Sequence, residues 1–122
     1  MSVPILRQGD VLIASIQVAQ TDEDLRGLRD QLATEVGSQR AKGVIIDVTA
    51  LDVMDSFATR TLRAIAYSSR LRGAHTVVVG IQPDVAFAMV QLGLDLGAVS
   101  TALDLDDAID ELRARRSEES RA

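Results

Sequence analysis

The chain of 122 residues has the ordinary length of one domain, and its 47% hydrophobic but only 2% aromatic content predicts an aliphatic core. A net charge of −5 and the scarcity of aromatic rings argue against nucleic-acid binding. The absence of cysteine excludes disulfides and cysteine metal sites, and we expect no cofactor. Without a membrane-length apolar run or a signal-peptide pattern, we expect a cytoplasmic protein that does not contact a membrane.

The N-terminal third predicts a hairpin and one helix. Two apolar runs, residues 5–7 and 11–16, flank the turn-forming residues 8–10, which favours a β-hairpin. Thr21 or Asp22 can cap the helix that follows. The apolar positions of this helix are three or four residues apart, as one buried face requires. They are Leu25, Leu28, Leu32 and Val36.

The remainder of the chain alternates between apolar runs typical of strands and stretches with helical periodicity. The predicted strands are residues 44–48, 76–81 and 99–102. The predicted helices run from Ser56 to about Leu71, from Pro83 to Gly93 and from Leu105 to Leu112. The residues from 116 to 122 are polar, and we predict that they form a disordered C-terminal tail.

The order of these elements is ββαβαβαβα. Helices that alternate with strands pack on a shared sheet, so the sequence predicts an α/β fold. We expect a mixed sheet of about five strands with four helices, and one domain at residues 3–115.

The most informative segment joins the strand at residues 44–48 to the helix that begins at Ser56. Asp52 and Asp55 precede this serine. A phosphate on Ser56 would gain from the helix dipole but would be repelled by the two carboxylates, as a switch site requires. In the alternative interpretation, the Ser56 hydroxyl is only a helix N-cap and the two aspartates only form turns and caps.

Enzyme chemistry has little support in this sequence. The single histidine, His75, lies at the entry to a predicted strand, and no nucleophile-elbow pattern surrounds Ser56. Asp47, with Asp52 and Asp55, suggests a cation site or the phospho-accepting aspartate of a receiver domain. A receiver needs a second acidic cluster and a lysine near its fifth strand, yet the only lysine is Lys42. We therefore expect no catalytic residues and no metal site.

Residues 47–57 (DVTALDVMDSF) resemble the signature of STAS domains, the family of bacterial anti-sigma factor antagonists. Four further segments are similar to the stressosome branch of that family. They are residues 3–6 (VPIL), 79–86 (VGIQPDVA), 92–96 (LGLDL) and 101–105 (TALDL). The resemblance covers residues 3 to 112 and implies the STAS fold.

The resemblance also implies a function without catalysis. It is closest to the short, single-domain stressosome antagonist, because the second phosphothreonine of the larger co-scaffolds would fall near Ala88, which cannot accept phosphate. Such a protein assembles with sensor-fused STAS paralogues and itself, holds a switch serine/threonine kinase, and releases it on phosphorylation. A dedicated phosphatase resets the serine.

Carried onto this chain, the resemblance makes Ser56 the phosphoacceptor. We expect kinase recognition by Asp52, Asp55, Phe57 and Arg60, with the Phe57 ring exposed and Arg60 partly neutralising the phosphate one helical turn away. The alternative that remains open is a STAS module that binds a small ligand, either a nucleotide or a lipid.

Overall fold

A computed structural model describes residues 3–97 and 99–121, with side chains through residue 118. Its strands are β1 (Ile5–Gln8), β2 (Val11–Ser15), β3 (Gly43–Asp47), β4 (His75–Val79) and β5 (Ser100–Ala102). Its helices are α1 (Asp22–Ser38), α2 (Ser56–Leu71), α3 (Pro83–Gln91) and α4 (Leu105–Arg121). The predicted element order and the mixed sheet of five strands with four helices are confirmed for this described part.

The sheet has the strand order β1-β2-β3-β4-β5, with β1 antiparallel to β2 and all other pairs parallel. Each parallel connection crosses over to the next strand in the same direction. Since such crossovers share one handedness, α1, α2 and α3 pack on the same face of the sheet. The last helix, α4, covers the opposite face. All parallel strands therefore end at one edge, where their loops meet.

The alternation of side chains along β3 divides the core between the two faces. Val44 and Ile46 face α1 to α3, whereas Ile45 packs with Val77 under α4. All four side chains are fully buried. A strand covered on both faces has to be apolar at every position, which accounts for the uninterrupted run at residues 44–46.

The prediction of a disordered tail at residues 116–122 differs from the structure at residues 116–121, whose backbone is helical, and residue 122 lies outside the described residues. The backbone of α4 continues through Arg121, because this stretch consists largely of arginine and glutamate, which are good helix formers. An i,i+4 ion pair joins Arg115 Nη2 to Glu111 Oε1 at 3.4 Å. Arg116 Nη1 lies 2.6 Å from Asp10 Oδ2, so α4 is also held to the β1–β2 turn.

Candidate phosphorylation and partner-recognition site

The loop that carries the predicted site leaves the sheet at Asp47 and ends at Asp55. Both ends of the loop are fixed by backbone hydrogen bonds and burial. The Val48 N–H donates to the Val79 carbonyl at 2.9 Å, and the Thr49 N–H donates to Asp47 Oδ1 at 2.9 Å. Met54 is buried in the core. The segment therefore has a defined path that delivers residue 56 to the surface.

Asp55, not Ser56, is the N-cap of α2. The backbone of Asp55 is extended, and its Oδ1 accepts a hydrogen bond from the Ala58 N–H at 2.8 Å. Ser56 is the first residue of the helix, and its side chain is exposed and makes no hydrogen bond in the described structure. The interpretation of Ser56 as the cap was wrong, whereas the capping role considered for Asp55 is confirmed. The serine hydroxyl is therefore free for chemistry.

The capping role of Asp55 can be separated from a role in recognition. We expect Asp55→Ala to lower the free energy of unfolding by about 1 kcal/mol, since the Ala58 N–H loses its acceptor, and Asp55→Asn to lower it by less than about 1 kcal/mol. If kinases read the charge, Asp55→Asn should still slow phosphorylation of Ser56 several-fold. Denaturant titrations and kinase assays measure the two effects. Unchanged kinase recognition with a large loss of stability would leave Asp55 a purely structural residue.

The environment of Phe57 differs from the prediction of an exposed ring. Its side chain is partly buried, and the Arg26 guanidinium of α1 lies over the ring, 5.0 Å from its centroid. A cation–π contact of this kind contributes about 0.5 to 1 kcal/mol at an exposed site. Arg26 is thus a neighbour of the site that sequence reasoning missed. Nothing in the local sequence indicates it, because the contact arises only when α1 packs beside α2.

The remaining predicted residues are exposed around Ser56. Asp52 and Arg60 are exposed and form no ion pair within the described residues. Val53, which sequence reasoning also missed, has 71% of its surface exposed. We call this set of exposed residues the Ser56 surface: Asp52, Val53, Asp55, Ser56 and Arg60. It combines a hydroxyl, an apolar side chain and charges of both signs.

A second loop supports the loop of the Ser56 surface. The Gln82 side-chain amide donates to the Thr49 carbonyl at 2.8 Å, joining the β4–α3 connection to the β3–α2 loop. Gly80 has a φ of +78° and packs so closely on Thr49 that a Cβ would collide with the threonine side chain. Gly80 and Gln82 belong to the 79–86 motif, which therefore has a structural role in positioning the loop that leads to Ser56.

The residues that were considered for catalysis have structural roles. Asp47 Oδ1 is the acceptor for the Thr49 N–H, as in a turn-forming aspartate. His75 begins β4, at the opposite end of the strand from the loops, with Nε2 2.8 Å from Ser100 Oγ. Among the described side chains, those of residues 3–97 and 99–118, no three His, Asp or Glu groups are placed so that they could hold a metal ion.

An apolar cavity of about 110 Å³ lies under the Ser56 surface, between the loop and α1. Its lining includes Ile16, Leu25, Met54 and Leu62. A second cavity, of about 230 Å³, lies between the β1–β2 turn and α4. Pockets for drug-sized ligands are roughly 300 to 1,000 Å³, so neither cavity has the volume for a nucleotide. These two cavities therefore give no support to nucleotide binding.

With the fold and the site in place, comparison with known proteins identifies the class. A model of the STAS domain family matches residues 3–108, and the chain belongs to this family. Among solved structures it is similar to a serine-to-glutamate variant of RsbS from Moorella thermoacetica, at 34% identity and a TM-score of 0.82 over 94% of this chain and 97% of that one. It is also 35% identical to a chain of a stressosome structure, with a TM-score of 0.76 over 93% and 98% of the two chains.

Curated relatives point to the same group. The chain is 31% identical over 87 residues to the RsbT co-antagonist protein RsbRA of Bacillus subtilis. This match covers 71% of this chain and 32% of that protein. It is 24% identical over 110 residues to the RsbT co-antagonist protein RsbRD of the same organism. That match covers 89% of this chain and 40% of RsbRD. The chain thus spans about a third of the length of RsbRA and two fifths of RsbRD. No helix in the described part is long and apolar enough to cross a membrane.

Proposed function

We propose that this chain is a cytoplasmic stressosome component that holds a switch serine/threonine kinase and releases it when Ser56 is phosphorylated. It has no catalytic activity of its own in this proposal. The observation that carries the proposal is the exposed Ser56 hydroxyl, which Asp55 relieves of the capping role. The likeness to RsbS over nearly the full length of both chains supports the proposed role as a stressosome component.

The Ser56 surface gives a physical route from phosphorylation to release. In the free state, the kinase meets a neutral hydroxyl on Ser56 and the exposed side chain of Val53, three residues earlier in the chain. Phosphorylation adds about −1.5 to −2 units of charge next to Asp52 and Asp55. A partner surface that accommodates two carboxylates and an apolar side chain then has to desolvate a dianion as well. The repulsion between the phosphate and these carboxylates and the cost of desolvating the phosphate together weaken the contact with the kinase, without a change of fold.

The fold is expected to tolerate the phosphate. Ser56 is the first helical residue, where backbone N–H groups lack intrahelical acceptors and the helix dipole favours negative charge. Arg60 is one turn along the same helix and is free of ion pairs in the described structure, so it can partly neutralise the phosphate. The switch is therefore a local change of surface charge.

The partners follow from the same proposal. RsbRA and RsbRD are co-antagonist proteins much longer than this chain, and we infer that sensor-fused STAS proteins of this kind assemble with it. The kinase that this chain holds is the one that phosphorylates Ser56. A phosphatase is needed to restore the hydroxyl, since a phosphoserine at an exposed helix start is chemically stable.

Mapping the phosphate tests the assignment of Ser56. The chain is incubated with the serine/threonine kinase of its own stress pathway and ATP, and the product is digested and analysed by mass spectrometry. We expect one phosphate, on Ser56. Modification of another residue while Ser56 stays unmodified would refute the assignment.

The assembly part of the proposal makes its own prediction. We expect light scattering to show a megadalton-scale particle when the chain is mixed with a sensor-fused STAS paralogue. The physical reason is that the chain exposes several large apolar side chains, such as Phe87 and Val90, that a solitary monomer would leave in water. Elution of the mixture as two separate small species would contradict the assembly role.

A further inference from the structure

The solvent side of α2 carries a row of arginines that begins beside Ser56. Residues three or four positions apart are neighbours on a helix surface, so a run with these spacings lies along one side of the helix. Such a run follows Ser56, and we call its four members the α2 stripe: Arg60, Arg63, Tyr67 and Arg70. Leu62 and Ile65, which are buried, point away from this stripe into the core.

No carboxylate within α2 balances these positive charges. The helix carries three arginines and neither Asp nor Glu, whereas the other three helices of the described structure each have more acidic than basic residues. None of the three arginines forms an ion pair with a described side chain. Like charges at this spacing destabilise a helix, and proteins break such local rules mainly at functional sites. The stripe therefore indicates a binding surface.

The side chains in the middle of the α2 stripe are held in place. Tyr67 has 48% of its surface exposed. A Cβ at Gly97 would lie 2.9 Å from the Tyr67 hydroxyl oxygen and 3.4 Å from Arg63 Nε, so the α3–β5 loop packs against both side chains. Asp95, the one carboxylate of that loop, accepts the Gly97 N–H at 2.8 Å. Side chains that are already ordered lose less conformational entropy when a partner binds.

We propose that the α2 stripe is the docking surface for an acidic face of the switch kinase. Arginine and tyrosine are the residue types that contribute most at protein–protein interfaces, and an acidic face is the electrostatic complement of three arginines. The net charge of −5 of the whole chain argues against a nucleic acid in this place. The inference rests on the proposed function, in which the kinase has to reach Ser56 beside the stripe.

The length of the α2 stripe fits such an interface. From Ser56 to Arg70 the helix rises about 21 Å, at 1.5 Å per residue. An interface of standard size covers about 800 Å² on each partner, which is a patch roughly 30 Å across. A kinase that contacts Ser56 can therefore cover the whole stripe in the same interface.

Docking along the α2 stripe also explains how the phosphate acts. Phosphorylation places about −1.5 to −2 units of charge beside the N-terminal end of the stripe. Surface charges are screened over about 8 Å at physiological salt, and Arg60 is about 6 Å from Ser56 along the helix axis. The phosphate therefore offsets the attraction of Arg60 and repels an acidic face, whereas Arg70, about 21 Å away, keeps its attraction.

Removing charge at the far end of the α2 stripe tests the proposal outside the Ser56 surface. We expect Arg63→Gln/Arg70→Gln to associate with the kinase roughly tenfold more slowly than the unaltered chain at low salt, because electrostatic steering is lost. The two rates should converge as salt is raised. Arg63→Lys/Arg70→Lys keeps both charges and should associate nearly as fast as the unaltered chain. Stopped-flow measurements on the unphosphorylated chains give these rates.

Lys42→Gln/Arg113→Gln is the matched control, because it removes the same net charge at two exposed residues outside the α2 stripe. It should associate at the unaltered rate. Equal slowing in this control, or a normal rate for Arg63→Gln/Arg70→Gln, would overturn the docking surface and leave the switch at Ser56 standing. An unaltered chain that does not bind the kinase would refute the proposed function together with the docking surface. Binding of RNA or of anionic vesicles that Arg63→Gln/Arg70→Gln abolishes, with kinase association unchanged, would assign the stripe to another partner.

Discussion

Ser56→Ala is expected to fold as the unaltered chain does and to hold the switch kinase whether or not ATP is present. Ser56 makes no capping hydrogen bond, and alanine is a good helix former, so the free energy of unfolding should change by less than about 0.5 kcal/mol. With no hydroxyl to modify, release cannot occur. Co-purification of the kinase with this variant, before and after ATP is added, measures the effect.

The charged variant should behave in the opposite way. A phosphate that costs the contact about 3 kcal/mol weakens kinase binding by more than a hundredfold. Ser56→Asp has one negative charge in place of nearly two, so we expect a weakening of roughly tenfold or more. Ser117→Asp, at an exposed serine of α4, is the matched control and should bind the kinase normally. Equal affinities of Ser56→Asp and Ser56→Ala for the kinase would contradict the charge mechanism.

Gly80→Ala should be strongly destabilising. At a φ of +78° a side chain is strained, and the added Cβ would collide with the Thr49 side chain and lie 3.1 Å from the Thr49 Cα. Strain and overpacking together should lower the free energy of unfolding by about 2 to 4 kcal/mol. Because Thr49 begins the loop that leads to Ser56, phosphorylation should also slow.

Gly9→Ala separates the two contributions. Gly9 has a φ of +62°, but a Cβ there would meet nothing within 4 Å, so this variant pays only the conformational strain. We expect it to lose about 1 to 2 kcal/mol and to be phosphorylated at the normal rate. Denaturant unfolding of both variants gives the comparison. If Gly80→Ala loses no more free energy of unfolding than Gly9→Ala does, the close contact with Thr49 does not constrain what can stand at position 80.

The fold was predictable because its signals are local. Uninterrupted apolar runs specify buried parallel strands, and the spacing of Leu25, Leu28 and Leu32 specifies the buried side of α1. The Thr21 cap is confirmed as well, since Thr21 Oγ1 accepts from the Asp24 N–H at 3.0 Å. The extent of α4 was not predictable from polarity alone, because a polar segment of helix formers is helical when its first turns are anchored.

The composition of the site was predictable only in part. Ser56 and its acidic neighbours are contiguous in sequence, so a motif is enough to find them. Arg26 over Phe57 and the Gln82 hydrogen bond to Thr49 join residues from different elements. Such contacts depend on how the elements pack, which no sequence spacing in this chain indicates. The exposure of Val53 likewise depends on which of the adjacent loop residues, Val53 or Met54, turns into the core.

We expect that one phosphate on Ser56 decides whether the kinase is held. The most direct measurement is the affinity of the kinase for three samples of this chain: unphosphorylated, stoichiometrically phosphorylated on Ser56, and phosphorylated and then treated with a phosphatase. We expect tight binding of the kinase to the unphosphorylated chain, an affinity more than a hundredfold lower for the phosphorylated chain (about 3 kcal/mol), and full recovery of the affinity after phosphatase treatment. The same affinity for all three samples would contradict it.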